Sequence, residues 1–168
     1  MTTIVLTGPE STGKSTLAVQ LAERLQAGLV PEVARRYLTG QSSYRPADVL
    51  RISALQYEAE SAAVAKNATV ICDTDQQVVN IWWAERYGPV PDTLLARYAA
   101  QSDRFYLLCR PDIAWQPDPQ REHPFARERL YALYLADLRA RGLQFAEVAG
   151  EGRTRLEHAR SFALEWLK

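Results

Sequence analysis

Apolar and polar positions along the chain follow two periods, and the switches between them divide it into short elements. Thr2 to Leu6, Thr69 to Cys72, Arg104 to Cys109 and Leu143 to Val148 are brief apolar or β-branched runs bounded by turn residues. Runs of that length predict buried strands. Gly28-Leu29-Val30 predicts a fifth, with Pro31 marking an edge strand or a strand end. Helical spacing fills the intervals. Leu17, Ala18, Leu21, Ala22 and Leu25 share a face over Ser15 to Leu25, and Val49, Ile52, Leu55, Ala59 and Ala63 share one from about Asp48 to Lys66. Further helices are expected in the charged stretch after Glu32, over Gln76 to Tyr87, which Gly88-Pro89 stops, and from Pro91 to about Gln101. Two more are expected from Phe125 to Arg141 and from Thr154 onward. Strands that alternate with helices predict a parallel sheet covered on both faces. In such sheets ligands collect at the carboxyl ends of the strands.

One segment escapes both periods. Arg110 to Pro124 holds four of the chain's nine prolines together with Arg110, Asp112, Asp118, Arg121 and His123. An irregular stretch of that length reads as a lid or binding loop. No repeat, low-complexity tract or linker divides the 168 residues, so one domain is expected, with a lid at about 110–124.

Charge removes some classes of partner. Twenty basic residues balance 20 acidic ones, so no net field favours nucleic acid or an anionic membrane. The opening Met-Thr-Thr leads into a strand and not a signal peptide, and no apolar run reaches membrane length. The expectation is a cytoplasmic protein with a small-molecule partner, compatible with a homo-oligomer. Cys72 and Cys109 are the only cysteines, each ending a predicted strand, and read as buried thiols.

The chemistry begins at the first turn. Gly8-Pro9-Glu10-Ser11-Thr12-Gly13-Lys14-Ser15 fits the phosphate-loop pattern of Gly, four free positions, then Gly-Lys-Ser, with a strand before it and a helix after it. The glycines permit backbone angles and close approach that side chains block. The loop amides and the helix's positive end attract phosphates. Lys14 reaches the β and γ phosphates, and the Ser15 hydroxyl joins a Mg²⁺ shell. Glu10, Ser11, Thr12 and Thr16 complete the expected nucleotide contacts. A nucleoside triphosphate with Mg²⁺ is therefore the expected ligand.

Other strand ends carry the remaining candidates. Asp73 and Asp75 lie two apart, a spacing that turns both one way in extended chain. Asp73 suits the metal or its water. Asp75 can cap the following helix, bind a ligand hydroxyl, or both. Glu32 can accept a proton from an attacking hydroxyl, and Arg35, one turn on, can contact substrate or pair with Glu32. Among Arg110, Arg121, Arg127 and Arg129, Arg121 is the best placed to neutralise a moving phosphoryl group. Of the adjacent Trp82 and Trp83 one belongs to the core, and Trp115, in the polar loop, either stacks on a base or pyridine ring or packs within the lid.

With these pieces in order, the chain resembles the ribosylnicotinamide kinase domain of the bacterial NadR family. The likeness rests on Gly8-Pro9-Glu10-Ser11-Thr12-Gly13-Lys14-Ser15, on Glu32-Val33-Ala34-Arg35, on Asp73-Thr74-Asp75 and on Trp115 through Arg121. It implies an ATP- and Mg²⁺-dependent kinase that phosphorylates the ribose 5′-hydroxyl of nicotinamide riboside. The expected catalytic set is Lys14, Glu32, Asp73, Asp75 and Arg121. Arg110 is expected at the nucleotide, Glu32, Arg35, Asp75 and Trp115 at the acceptor, and Ser15 with Asp73 at the metal. The expected fold is an α/β P-loop NTPase, a three-layer sandwich around a five-stranded parallel sheet of order 2-3-1-4-5. A kinase for another nucleoside or small metabolite, or an AAA-like ATPase acting as a nucleotide-dependent switch, are the alternatives.

Overall fold

Each short apolar run becomes a strand because its side chains are wanted on both faces. The computed structural model describes residues 1–101, 103–117 and 125–168. Strands β1 (Thr2–Thr7), β2 (Gly28–Val30), β3 (Thr69–Asp73), β4 (Arg104–Cys109) and β5 (Gln144–Val148) form one sheet of order β2-β3-β1-β4-β5, as expected. Every pair in it is parallel. The register sets Leu6 beside Asp73 on one side of β1 and beside Leu107 on the other, so the first turn leaves the sheet at its centre.

Alternation along β1 builds both cores. Ile4 and Leu6 pack with Ile71, Phe105 and Leu107 under α1 (Lys14–Leu25) and α7 (Gly152–Trp166). Val5 faces the other way, with Val70, Cys72, Tyr106 and Leu108, under α3 (Pro46–Val64) and α6 (Arg127–Ala140). Two further helices, α4 (Gln76–Tyr87) and α5 (Asp92–Ala99), pack beside α3, where Val49, Val79, Trp83 and Leu94 make a smaller core. The five-residue α2 (Val33–Tyr37) follows β2 directly.

Local chemistry moves several helix ends. α3 starts at Pro46, two residues earlier than the apolar pattern predicts, because the Arg45 amide donates to Asp48 Oδ2 at 2.7 Å and Pro46 suits the first turn. α6 starts at Arg127, and Phe125 is fully exposed. Both cysteines are free and buried, as expected. Burial pushes the Cys109 thiol up to about 11 and the Cys72 thiol well above its ordinary value, so both stay protonated. Among the described residues no helix is long and apolar enough to cross a membrane.

Candidate functional site

The turn after β1 is shaped by what crowds it. Gly8 has φ +123, and a Cβ there would stand 2.7 Å from the carbonyl oxygen of Cys109. Only glycine fits. Gly13, at φ +75, turns the chain into α1, whose first bond runs from the Leu17 amide to the Gly13 carbonyl at 3.0 Å. Between them Thr12 Oγ1 donates to the Pro9 carbonyl at 2.9 Å. Lys14 Nζ arches over the loop and donates to the carbonyls of Gly8 at 3.0 Å and Pro9 at 2.7 Å.

This loop forms one wall of a cleft of about 1000 Å³. Gly8, Glu10, Ser11, Thr12, Gly13, Lys14, Ser15 and Thr16 all line it, as do Glu32 and Arg35 from the turn after β2. Arg35 Nε stands 3.7 Å from Glu32 Oε2. Asp73 opens onto a smaller pocket of about 370 Å³ that shares Ser15, Glu32 and Arg35 with the cleft. One oxygen of Asp73, Oδ1, is buried with no hydrogen-bond partner among the described residues. A buried carboxylate oxygen without a donor is costly unless something else meets it. That orphan, on a residue that lines the same small pocket as Ser15, fits a hard, oxygen-seeking cation such as Mg²⁺, which takes few protein ligands and keeps waters and phosphates for the rest.

Three of the expected residues do not line the cleft. Asp75 does not face the cleft. It is fully buried, its carboxylate accepts from the Gln77 amide at 2.9 Å as the cap of α4, and Tyr106 Oη donates to it at 2.8 Å. Thr74, at φ 69, breaks the extended geometry that alternation assumes and turns Asp75 inward. Arg110 is off the cleft as well, 3.6 Å from Glu147 with its guanidinium over the Tyr131 ring. Trp115 is half-buried outside the cleft lining, beneath the Arg127 guanidinium. Arg127 in turn donates to the carbonyls of Ser11 at 3.1 Å and Ile113 at 2.9 Å, and the Gln116 amide donates to Ser11 Oγ at 2.9 Å. The chain after β4 is thus fastened to the phosphate loop through Ser11. Arg121 lies outside the described residues.

The structure adds cleft residues that the sequence reading left unassigned. Trp82 lines the cleft, Trp83 is buried, and Trp82 Nε1 donates to Tyr44 Oη at 2.8 Å. Their rings meet edge-on at 5.0 Å, and the Arg86 guanidinium lies 4.4 Å over Tyr44. This aromatic wall lines the cleft where Trp115 was expected, and its signal in the sequence is the Trp pair. At the opposite end Arg155, 4% exposed, holds the loop before α7 by donating to the Gly150 carbonyl at 2.7 Å and the Arg110 carbonyl at 3.0 Å. It also pairs with Asp112.

Asp75 belongs to a buried polar network behind the cleft. Arg104 Nη1 is 2.7 Å from Glu60 Oε2 and 3.5 Å from Asp75 Oδ2. Burial pushes the Glu60 carboxyl up to about 7 from an ordinary 4.5, against the pull of Arg104, and burial likewise raises Asp75. A carboxyl raised on folding takes up a proton between those two values. Its stabilising contribution is full below about 4.5 and is lost as pH rises through about 7. Glu60→Gln imitates the protonated form, so the thermal midpoint should fall more steeply for the wild type than for the variant between pH 5 and 8. At roughly 2–4 °C per kcal/mol the gap is several degrees. Parallel curves would place the ionisation of Glu60 in its ordinary range.

The described geometry has counterparts among known proteins. A family model described as an AAA domain matches residues 3–155, most of the chain. The chain belongs to this AAA-domain family. The family's P-loop fold agrees with solved structures of NadR protein. One, in complex with NAD and AMP-PNP, superposes with TM-score 0.80 at 24% identity over 98% of this chain and 49% of that one. Another, in complex with NR, gives TM-score 0.82 at 26% identity over 98% of this chain and 51% of that one. This AAA-domain chain therefore spans about half the length of those NadR proteins. No curated protein matches it.

Proposed function

We propose that this AAA-domain protein transfers the γ-phosphoryl group of ATP to the ribose 5′-hydroxyl of nicotinamide riboside, giving nicotinamide mononucleotide. The observation that carries the reading is that one cleft joins the phosphate loop to an acidic-and-aromatic end containing Glu32, Arg35, Tyr44 and Trp82. Its volume of about 1000 Å³ stands at the top of the range for a single small-ligand pocket, roughly 300–1,000 Å³, and leaves room for an acceptor beside the triphosphate. The NadR structures, one with NR and the other with NAD and AMP-PNP, support ligands of these classes.

In this reading the amides of the Gly8–Ser15 loop and the first turn of α1 bind the phosphates, and Lys14 swings from the Gly8 and Pro9 carbonyls onto the β and γ oxygens. Ser15 and Asp73 would hold Mg²⁺, which when bound neutralises charge on those same oxygens. Glu32 orients the acceptor hydroxyl and takes its proton, with Arg35 keeping its carboxylate in place. Trp82 and Tyr44 offer aromatic faces to a flat ring, and a cationic pyridinium gains a further attraction to them. Arg121 is assigned to the transferring phosphoryl group as in the family pattern. With γ-labelled ATP and nicotinamide riboside, label should appear in nicotinamide mononucleotide. Label confined to inorganic phosphate would refute the reading.

A further inference from the structure

Two turns that carry the proposed chemistry, the one ending in Glu32 and the one from Asp73 to Asp75, leave neighbouring strands and have to keep a fixed spacing. Glu32 precedes α2, which is five residues long and has no side-chain cap. A helix that short does not hold itself, and its first amides have no partner within it. Thr74 is a non-glycine residue at φ 69, a conformation that persists only where the surroundings enforce it.

One side chain meets both needs. Gln56, in the middle of α3 and 2% exposed, accepts from the Val33 amide through Oε1 at 3.1 Å, immediately after Glu32. Its Nε2 donates to the Thr74 carbonyl at 3.3 Å, between Asp73 and Asp75, and to Glu60 Oε1 at 2.8 Å. Glu60 fixes which way the amide points. It is itself held by Gln101 at 2.6 Å and by Arg104 at 2.7 Å. Neither Gln56 nor Glu60 lines the cleft or the pocket beside it. Packing alone does not call for an amide here, since a leucine or methionine fills a buried helix face without the cost of satisfying polar atoms.

We propose that Gln56 is a positioning residue that ties the Glu32 turn to the Asp73–Asp75 turn, so that the acceptor side and the metal side of the cleft keep one spacing. The proposal rests on the kinase reading for its effect on turnover. Glu60, Gln101 and Arg104 form the frame that holds the Gln56 amide, and through it the network behind the cleft reaches the proposed base.

The test is Gln56→Leu in the full chain, compared with Glu32→Gln and with the double variant. Gln56→Leu should lower kcat with nicotinamide riboside by about 10- to 100-fold, the size seen when groups that orient ligating residues are removed. ATP affinity without Mg²⁺ should change less than about twofold, because the phosphate loop makes no bond to Gln56. On a Glu32→Gln background the same change should cost little more, the non-additivity expected of residues acting as a unit. A kcat near the wild-type value, or full additivity, would overturn the proposal. If Gln56→Leu does not fold, Gln56→Glu with Glu60→Gln keeps an acceptor for the Val33 amide and reverses the bond between the two side chains. That pair should recover more activity than Gln56→Glu alone, and equal activity would count against the assignment. Amide exchange needs no substrate. Exchange at Val33 should quicken at least tenfold in Gln56→Leu while the β1 amides stay protected. If nicotinamide riboside fails to stimulate the wild type, the kinase reading fails, and the exchange result alone decides the anchoring.

Discussion

Lys14→Ala should lower ATP turnover by at least about 100-fold while leaving the thermal midpoint within a few degrees of the wild type. Lys14 lines the cleft, and its two hydrogen bonds go to carbonyls of its own loop, so the fold loses little with it. The loss falls on charge developing at the transferred phosphoryl group. A pre-placed donor there is worth about 2.7–4 kcal/mol, or 10²- to 10³-fold in rate. Lys14→Arg should not rescue it, because the planar guanidinium is a poor substitute for a compact charge in a loop this close. Steady-state turnover with a parallel melting curve checks both halves. Near-normal turnover in a folded Lys14→Ala protein would remove the phosphate loop from the mechanism.

Asp73→Asn should cut Mg²⁺-dependent turnover by about 10- to 100-fold and raise the Mg²⁺ concentration needed for half-maximal rate. The carboxylate ends β3 beside Leu6, where the phosphate loop begins, and keeps Oδ1 buried with no donor among the described residues. In the protein alone the substitution removes a buried charge and should be neutral or stabilising. The two effects have opposite signs, which separates a metal role from a structural one. A Mg²⁺ titration of activity and a melting curve without Mg²⁺ measure them. Destabilisation with an unchanged Mg²⁺ requirement would make Asp73 a structural residue.

The local signals were legible in the chain. The phosphate loop and the strand ends depend on glycine placement, short apolar runs and helical spacing, each contained within a few residues, whereas the sheet order follows from the P-loop fold that the family resemblance implies. Glu32, Arg35 and Asp73 reach the site because a parallel sheet delivers its carboxyl ends there. Asp75, Arg110 and Trp115 went elsewhere for reasons no short window holds. Asp75 is drawn inward by Tyr106 and Arg104, 31 and 29 residues away in sequence. Arg110 finds Glu147 on β5, and Trp115 lies under Arg127. The aromatic wall needed Tyr44 and Trp82 to be brought together across 38 residues, and Gln56 looked like any polar residue on a long helix until its amide met Val33 and Thr74. Partners fixed by tertiary packing decided each of these.

The most direct measurement is ADP release by the purified protein with ATP and Mg²⁺, with and without nicotinamide riboside. Strong stimulation by the riboside, with nicotinamide mononucleotide as the product, is the expected result. Slow release that no acceptor alters would contradict it and favour a nucleotide-dependent switch on the same fold.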